Sequence, residues 1–143
     1  MKISRSILAV LSLSAVAAIG MSPQALAHGN VTPQSVDTAA LPAIKNGPLT
    51  VNPYRGNKKA IDVGSAAYGQ NCARCHGLGA VSGGIAPDLR MLPTGDDGDE
   101  YFQMRVRNGA IRNGVTYMPA FGDIFSEEAI WAIRTYLDSV HQE

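Results

Sequence analysis

The stretch "NCARCHG", Asn71–Gly77, holds the only two cysteines of a 143-residue chain. Two thiols three positions apart can form a redox disulfide, half of a zinc site, or a double anchor for haem. The compartment bears on the choice. Lys2 and Arg5 precede the apolar run "ILAVLSLSAVAAIG" (Ile7–Gly20), and Ala25–Ala27 follows with the small–x–small pattern of a signal-peptidase site. A secretory signal peptide over residues 1–27, cleaved after Ala27, is therefore expected, and with it export to the periplasm. The run is shorter than the ~20 residues needed to span a bilayer, and no later stretch is long and apolar enough. In an exported protein a cysteine pair is usually a disulfide, so a haem reading needs further support.

His76 supplies it. Cys72-Ala73-Arg74-Cys75-His76 has the C-x-x-C-H arrangement of c-type haem attachment. Thiols about one helical turn apart can each add to one haem vinyl group, and the next residue is carried under the ring as proximal iron ligand. A thioredoxin-like pair would want a βαβ surrounding, which the sequence does not display. A zinc site would want four ligands, and beyond His76 only His28 and His141 remain, at the two ends of the exported chain.

The residues from His28 onward number 116, enough for one domain with a core. They carry ten basic and twelve acidic side chains, a balance that argues against a nucleic-acid binder. Residues 28–60 contain four prolines and no sustained apolar period, and read as an irregular arm. Its Val36, Leu41, Ile44, Leu49, Val51 and Tyr54 predict that it lies against the domain. A first helix is expected from Ile61 or Asp62 to Asn71. Gly77–Asp99 reads as a long loop, and a second helix fits Asp99–Asn108, with Arg105 and Arg107 suiting its C-terminal dipole. The last helix starts after Ser126 as N-cap, with Glu127 and Glu128 in its first turn and Ile130, Ile133, Leu137 and Val140 on one face. No alternating strand pattern is visible. The expectation is an all-α domain with long ordered loops.

For the second axial position the methionines after the motif are Met91, Met104 and Met118. Met118 stands in "TYMPAFG", where Pro119 keeps it out of helical conformation and suits presentation of a thioether from an extended segment. Met104 falls within a helix and reads as packing. A thioether opposite imidazole fills both axial sites and raises the potential, favouring electron transfer over peroxide or gas chemistry. "GDDGDE" (Gly95–Glu100) lacks the spacing of a calcium loop and reads as a solvated helix start. Arg105, Arg107 and Arg112 are candidates for haem propionates or a partner patch, two of them expected to be solvated. Trp131 reads as a core or rim aromatic.

These residues resemble the class I, mitochondrial-type c cytochromes over Ile61 to about Val140. The resemblance implies a cytochrome c fold, three to five helices around one covalently bound haem c. It implies that Cys72 and Cys75 hold the haem and that His76 and Met118 ligate the iron. Gly64 and Tyr68 match the family's glycine and aromatic on the N-terminal helix, packed on an aromatic of the last helix, here Tyr136. In "APDL", Pro87 matches the proline whose carbonyl accepts from the proximal histidine, and Leu89 a leucine on the haem face. The family's lysine-rich haem rim is not evident, and the arm is absent from minimal members. "VNPYRGN", "NCARCHGL", "SGGIAPDLR" and "VRNGAIRNGVTYMPAFG" look closest to the periplasmic c-550 subgroup. That likeness implies a soluble one-electron carrier, not an enzyme, which accepts electrons from a PQQ-dependent alcohol dehydrogenase and passes them to a terminal oxidase or another cytochrome. Two alternatives stand beside it, an open-site peroxidase or gas sensor and a permanently bound subunit of a dehydrogenase or oxidase complex.

Overall fold

A computed structural model describes residues 32–143; the signal-peptide expectation and His28 lie outside them. Four helices and one short hairpin follow in chain order: α1 (Lys58–Asn71), α2 (Ala73–His76), α3 (Gly95–Asn108), β1 (Ala110–Arg112), β2 (Val115–Met118) and α4 (Glu127–Ser139). Single 3-10 turns occupy Leu78–Ala80 and Leu89–Met91. Among the described residues no helix is long and apolar enough to cross a membrane.

Both α1 and α3 begin earlier than apolar periodicity suggests, because their first turns are polar. Asn57 caps α1, its side chain accepting from the N–H groups of Lys59 and Ala60 at 2.9 and 3.2 Å. Helix α3 opens at Gly95, four residues before the expected Asp99. The last helix starts as expected, with the Ser126 hydroxyl accepting from Ala129 N–H at 3.2 Å. The hairpin corrects the reading without strands. Its strands of three and four residues are too short to show alternation. Their turn is Asn113-Gly114, both at positive φ (51° and 75°), the chemistry a tight hairpin demands. Arg112 pairs with Val115 and Ile111 with Thr116, and the ladder is irregular before Ala110 pairs with Met118.

Helix α1 packs chiefly on α4. Small residues make the crossing close: Ala60, Gly64 and Ala67 on one side, Ala129 and Ala132 on the other, all buried. The main core joins Tyr68, Phe102, Val106, Phe121, Phe125, Ile130, Ile133 and Leu137. A second cluster lies under the arm, where Leu41 and Tyr54 meet Ala60, Trp131 and Ala132. Helix α4 is thus apolar toward both clusters. Trp131 is fully buried between arm and helices and donates from Nε1 to Glu127 at 3.1 Å.

Charged groups fasten the arm. Asp99, expected to be solvated, is fully buried; its carboxylate accepts from Arg134 Nε at 2.7 Å, from Arg55 at 2.5 Å and from the Asn52 N–H at 2.8 Å. A carboxylate can be buried there because two guanidinium groups and an amide replace its water. Glu128 accepts from the Ile44 N–H at 2.8 Å, which holds its carboxyl below the ordinary range despite partial burial. A depressed acid stabilises fully above its unfolded value and loses that contribution as pH falls through the folded value. The protection of the Ile44 amide against hydrogen exchange is therefore expected to fall by roughly three- to tenfold on acidification below about pH 4. Glu128→Gln should show the same loss already at pH 7.

Candidate haem site

Helix α1 ends at Asn71, and Cys72 breaks the run with φ −114°, ψ −37° before the single turn of α2 carries Cys75 and His76. The N–H groups of Cys75 and His76 both return to the Cys72 carbonyl, at 3.1 and 3.0 Å. The cysteines therefore stand one helical turn apart. Both thiols are free and half-buried. Burial, and secondarily Cys75, pushes the Cys72 thiol up to about 12. A thiol held protonated in this way does not suit a nucleophilic redox pair. Among the described residues no group of three or more His, Cys, Asp or Glu side chains could hold a metal ion.

His76 Nδ1 lies 2.9 Å from the Pro87 carbonyl. A carbonyl can only accept, so Nδ1 carries the proton and Nε2 keeps its lone pair for a metal. The chain reaches Pro87 through a tight turn in which Gly77, Gly79 and Ala80 all have positive φ. A Cβ on Gly77 would lie 1.8 Å from the Val81 carbonyl oxygen, so the turn admits only glycine there. Beyond it, Ser82 Oγ donates to Ala86 O at 2.5 Å, and Asp88 accepts from Ser82 N–H at 3.2 Å. Arg90 grips Asp88 with Nε and Nη2 at 3.0 and 2.7 Å and reaches Gln142 with Nη1 at 2.9 Å. That guanidinium holds the Asp88 carboxyl well below the usual carboxylate range. Leu89 is half-buried and packs against the main core.

Met118 is the last residue of β2 rather than a loop residue, half-buried against the main core. Its surroundings are pinned to the end of α3: Phe121 N–H donates to Val106 O at 2.9 Å and Gly122 N–H to Arg107 O at 3.2 Å. Gly109 caps α3 so close to this segment that a Cβ would lie 2.4 Å from the Met118 carbonyl. On the other side of the motif, Gly64 faces the Ala132 carbonyl, and Tyr68 packs its ring on Tyr136 with centroids 5.3 Å apart.

Each of the three arginines proposed for solvent or propionates has a partner in the protein. Arg105 donates to Gly109 O at 3.1 Å, Arg107 pairs with Glu127 and Gln103, and Arg112 lies over the Tyr117 ring at 5.7 Å. Sequence reasoning missed the hairpin and the buried Asp99–Arg134 pair; Asn113-Gly114 was the readable sign of the first, and nothing local signals the second.

The donor set tests which group fits. Two thiols one turn apart, an imidazole with a free Nε2 and a thioether match a covalently held haem. The segments carrying them also expose Leu78 (83%), Ile85 (76%), Val81 and Met91, apolar surface suited to a large planar hydrophobic group.

The comparisons agree. The family model described as "Cytochrome C oxidase, cbb3-type, subunit III", a cytochrome c family domain, matches residues 59–137. The chain is 54% identical over 133 residues to "Cytochrome c550" of Pseudomonas aeruginosa, covering 90% of this chain and 92% of that one. It is 36% identical over 91 residues to "Quinohemoprotein alcohol dehydrogenase ADH IIB" of Pseudomonas putida, covering 64% of this chain but 13% of that protein. With "Quinohemoprotein alcohol dehydrogenase ADH-IIG" of the same organism it shares 33% over 111 residues, again 13% of the larger protein. No solved structure matches the chain significantly. Fold, site and relatives converge: the chain belongs to the cytochrome c family, an electron-transfer protein rather than an enzyme, with covalently bound haem c and its iron as cofactor.

Proposed function

We propose that the chain is a periplasmic one-electron carrier that accepts electrons from a PQQ-dependent alcohol dehydrogenase and passes them towards a terminal oxidase or another cytochrome. In this reading residues 1–27 are the cleaved signal peptide, residues 28–60 the arm and residues 61–143 the cytochrome domain. Cys72 and Cys75 would hold the haem covalently, and His76 Nε2 and Met118 Sδ would be the ligands to its iron. When bound, the haem iron supplies the one-electron couple. The protein's part would be to hold both groups in place, through the Pro87 carbonyl for His76 and the anchors of Phe121 and Gly122 to α3 beside Met118, so that little need move when the charge changes.

The observation that carries the ligand assignment is the bond from His76 Nδ1–H to the Pro87 carbonyl. It fixes the tautomer and ring plane and makes Nε2 the more basic nitrogen. The donor assignment rests on the relatives named as quinohemoprotein alcohol dehydrogenases, whose similarity is confined to a small share of their length. A carrier of this kind would meet such a partner through a small, transient contact. Stopped-flow mixing of the oxidised holoprotein with a reduced PQQ-dependent alcohol dehydrogenase tests it through the haem absorbance. Rapid reduction that rises linearly with dehydrogenase concentration is expected. No reduction by such enzymes, beside fast reduction by an unrelated donor, would overturn the donor assignment.

A further inference from the structure

We infer that the Tyr68 hydroxyl is a positioning group for the proximal ligand, acting through the turn that follows His76. The inference rests on the reading of His76 as iron ligand. The family resemblance asks only for an aromatic ring at position 68, and the ring's contact with Tyr136 meets that need. The hydroxyl does something the ring cannot. It donates to the Gly77 carbonyl at 2.7 Å, one residue beyond His76, and its oxygen in turn accepts from the Ala80 backbone N–H.

The turn needs such a brace. Gly77, Gly79 and Ala80 all lie at φ between 64° and 82°, and Ala80 takes this conformation with a side chain. Left-handed backbone at a residue with a Cβ persists only where the surroundings over-determine it. Ala80 is fully buried in the same core as Tyr68, so steric packing and the hydroxyl act on one turn. From there the chain runs directly into Ser82–Asp88, the loop whose Pro87 carbonyl accepts from His76. Tyr68 therefore sits on the rigid helix α1 and fixes both ends of the excursion: the residue after the ligand and the start of the loop that orients it. A loss of the hydroxyl would leave the imidazole in place but loosen the carbonyl that sets its basicity.

The test compares two variants of the holoprotein. Tyr68→Phe removes the hydroxyl and keeps the ring; Ile133→Val thins the core at a side chain that has no polar group to bond to the turn. Proton exchange at His76 Nδ1–H is followed by NMR beside thermal stability and midpoint potential. Tyr68→Phe is expected to speed that exchange by about fivefold, the factor for one lost neutral hydrogen bond, and to shift the potential. Ile133→Val is expected to lower stability with neither change. Equal effects of both variants on the exchange, or none from Tyr68→Phe, would overturn the inference. His76→Ala separates this from the ligand reading itself: retention of the wild-type haem spectrum in that variant would remove the premise, whereas its loss leaves the Tyr68 result to be judged alone.

Discussion

Met118→Ala is expected to abolish the spectrum of a low-spin, methionine-ligated haem and to lower the midpoint potential. A thioether favours the reduced iron, so its removal weakens the hold on the ferrous state more than on the ferric. A hundredfold difference corresponds to about 120 mV at 59 mV per tenfold, and a fall of that order is expected. The fold should survive, because Met118 is only half-buried and its neighbours keep their own anchors to α3 through Phe121 and Gly122. Redox titration and the absorbance spectrum check the result together. Met104→Ala serves as the control, since its side chain is about half exposed on α3. An unchanged spectrum in Met118→Ala, or its loss in Met104→Ala, would place the ligand elsewhere.

Gly64→Ala is expected to be the most damaging single-methyl addition in α1. The new Cβ would stand 1.9 Å from the Ala132 carbonyl oxygen and 2.4 Å from its carbon. These are backbone atoms of α4, so no rotamer change relieves the overlap, and the helices must separate along their whole crossing. Overpacking of a tight core costs about 1–3 kcal/mol, and here the upper end or beyond applies. At about 4–8 °C per kcal/mol, thermal unfolding should fall by roughly 10–20 °C. Gly69→Ala, in the same helix but with nothing within 4 Å of its Cβ, should instead be neutral or stabilising by up to about 1 kcal/mol. Circular dichroism melts of the two holoprotein variants make the comparison. Equal melting temperatures would mean that the α1–α4 contact is looser than its geometry.

The contrast between these glycines shows what sequence can carry. Position 64 and position 69 have the same propensity; the spacing of Gly64 and Tyr68 on one face, and then the resemblance to a known family, singled out the first. Cys72, Cys75 and His76 were legible because covalent chemistry imposes spacing on them. At Met118, Pro119 signalled the extended backbone that the end of β2 shows. Helix α4 announced itself with a cap and an apolar stripe. The earlier starts of α1 and α3 were hidden because their first turns carry charge, where periodicity has nothing to count. Asp99 was hidden for a different reason. Its burial depends on Arg55 and Arg134, 44 and 35 residues away, and no local pattern reports a partner at that distance. The bond of the Tyr68 hydroxyl was hidden behind the ring, whose contact with Tyr136 met the expectation for that position by itself.

The double burial of α4 has a consequence for how the molecule opens. A terminal helix ordinarily frays first, since water reaches its outer face. Here the arm acts as cladding: Leu41 and Tyr54 seal the outer side over Trp131 and Ala132, while Ile130, Ile133 and Leu137 seal the inner. To detach, α4 must shed both layers, so its amides should be among the last to exchange and its release should coincide with loss of the whole domain. The segment that looked most like an accessory thereby shields the helix against which α1, the helix that leads into the Cys72–His76 motif, is braced.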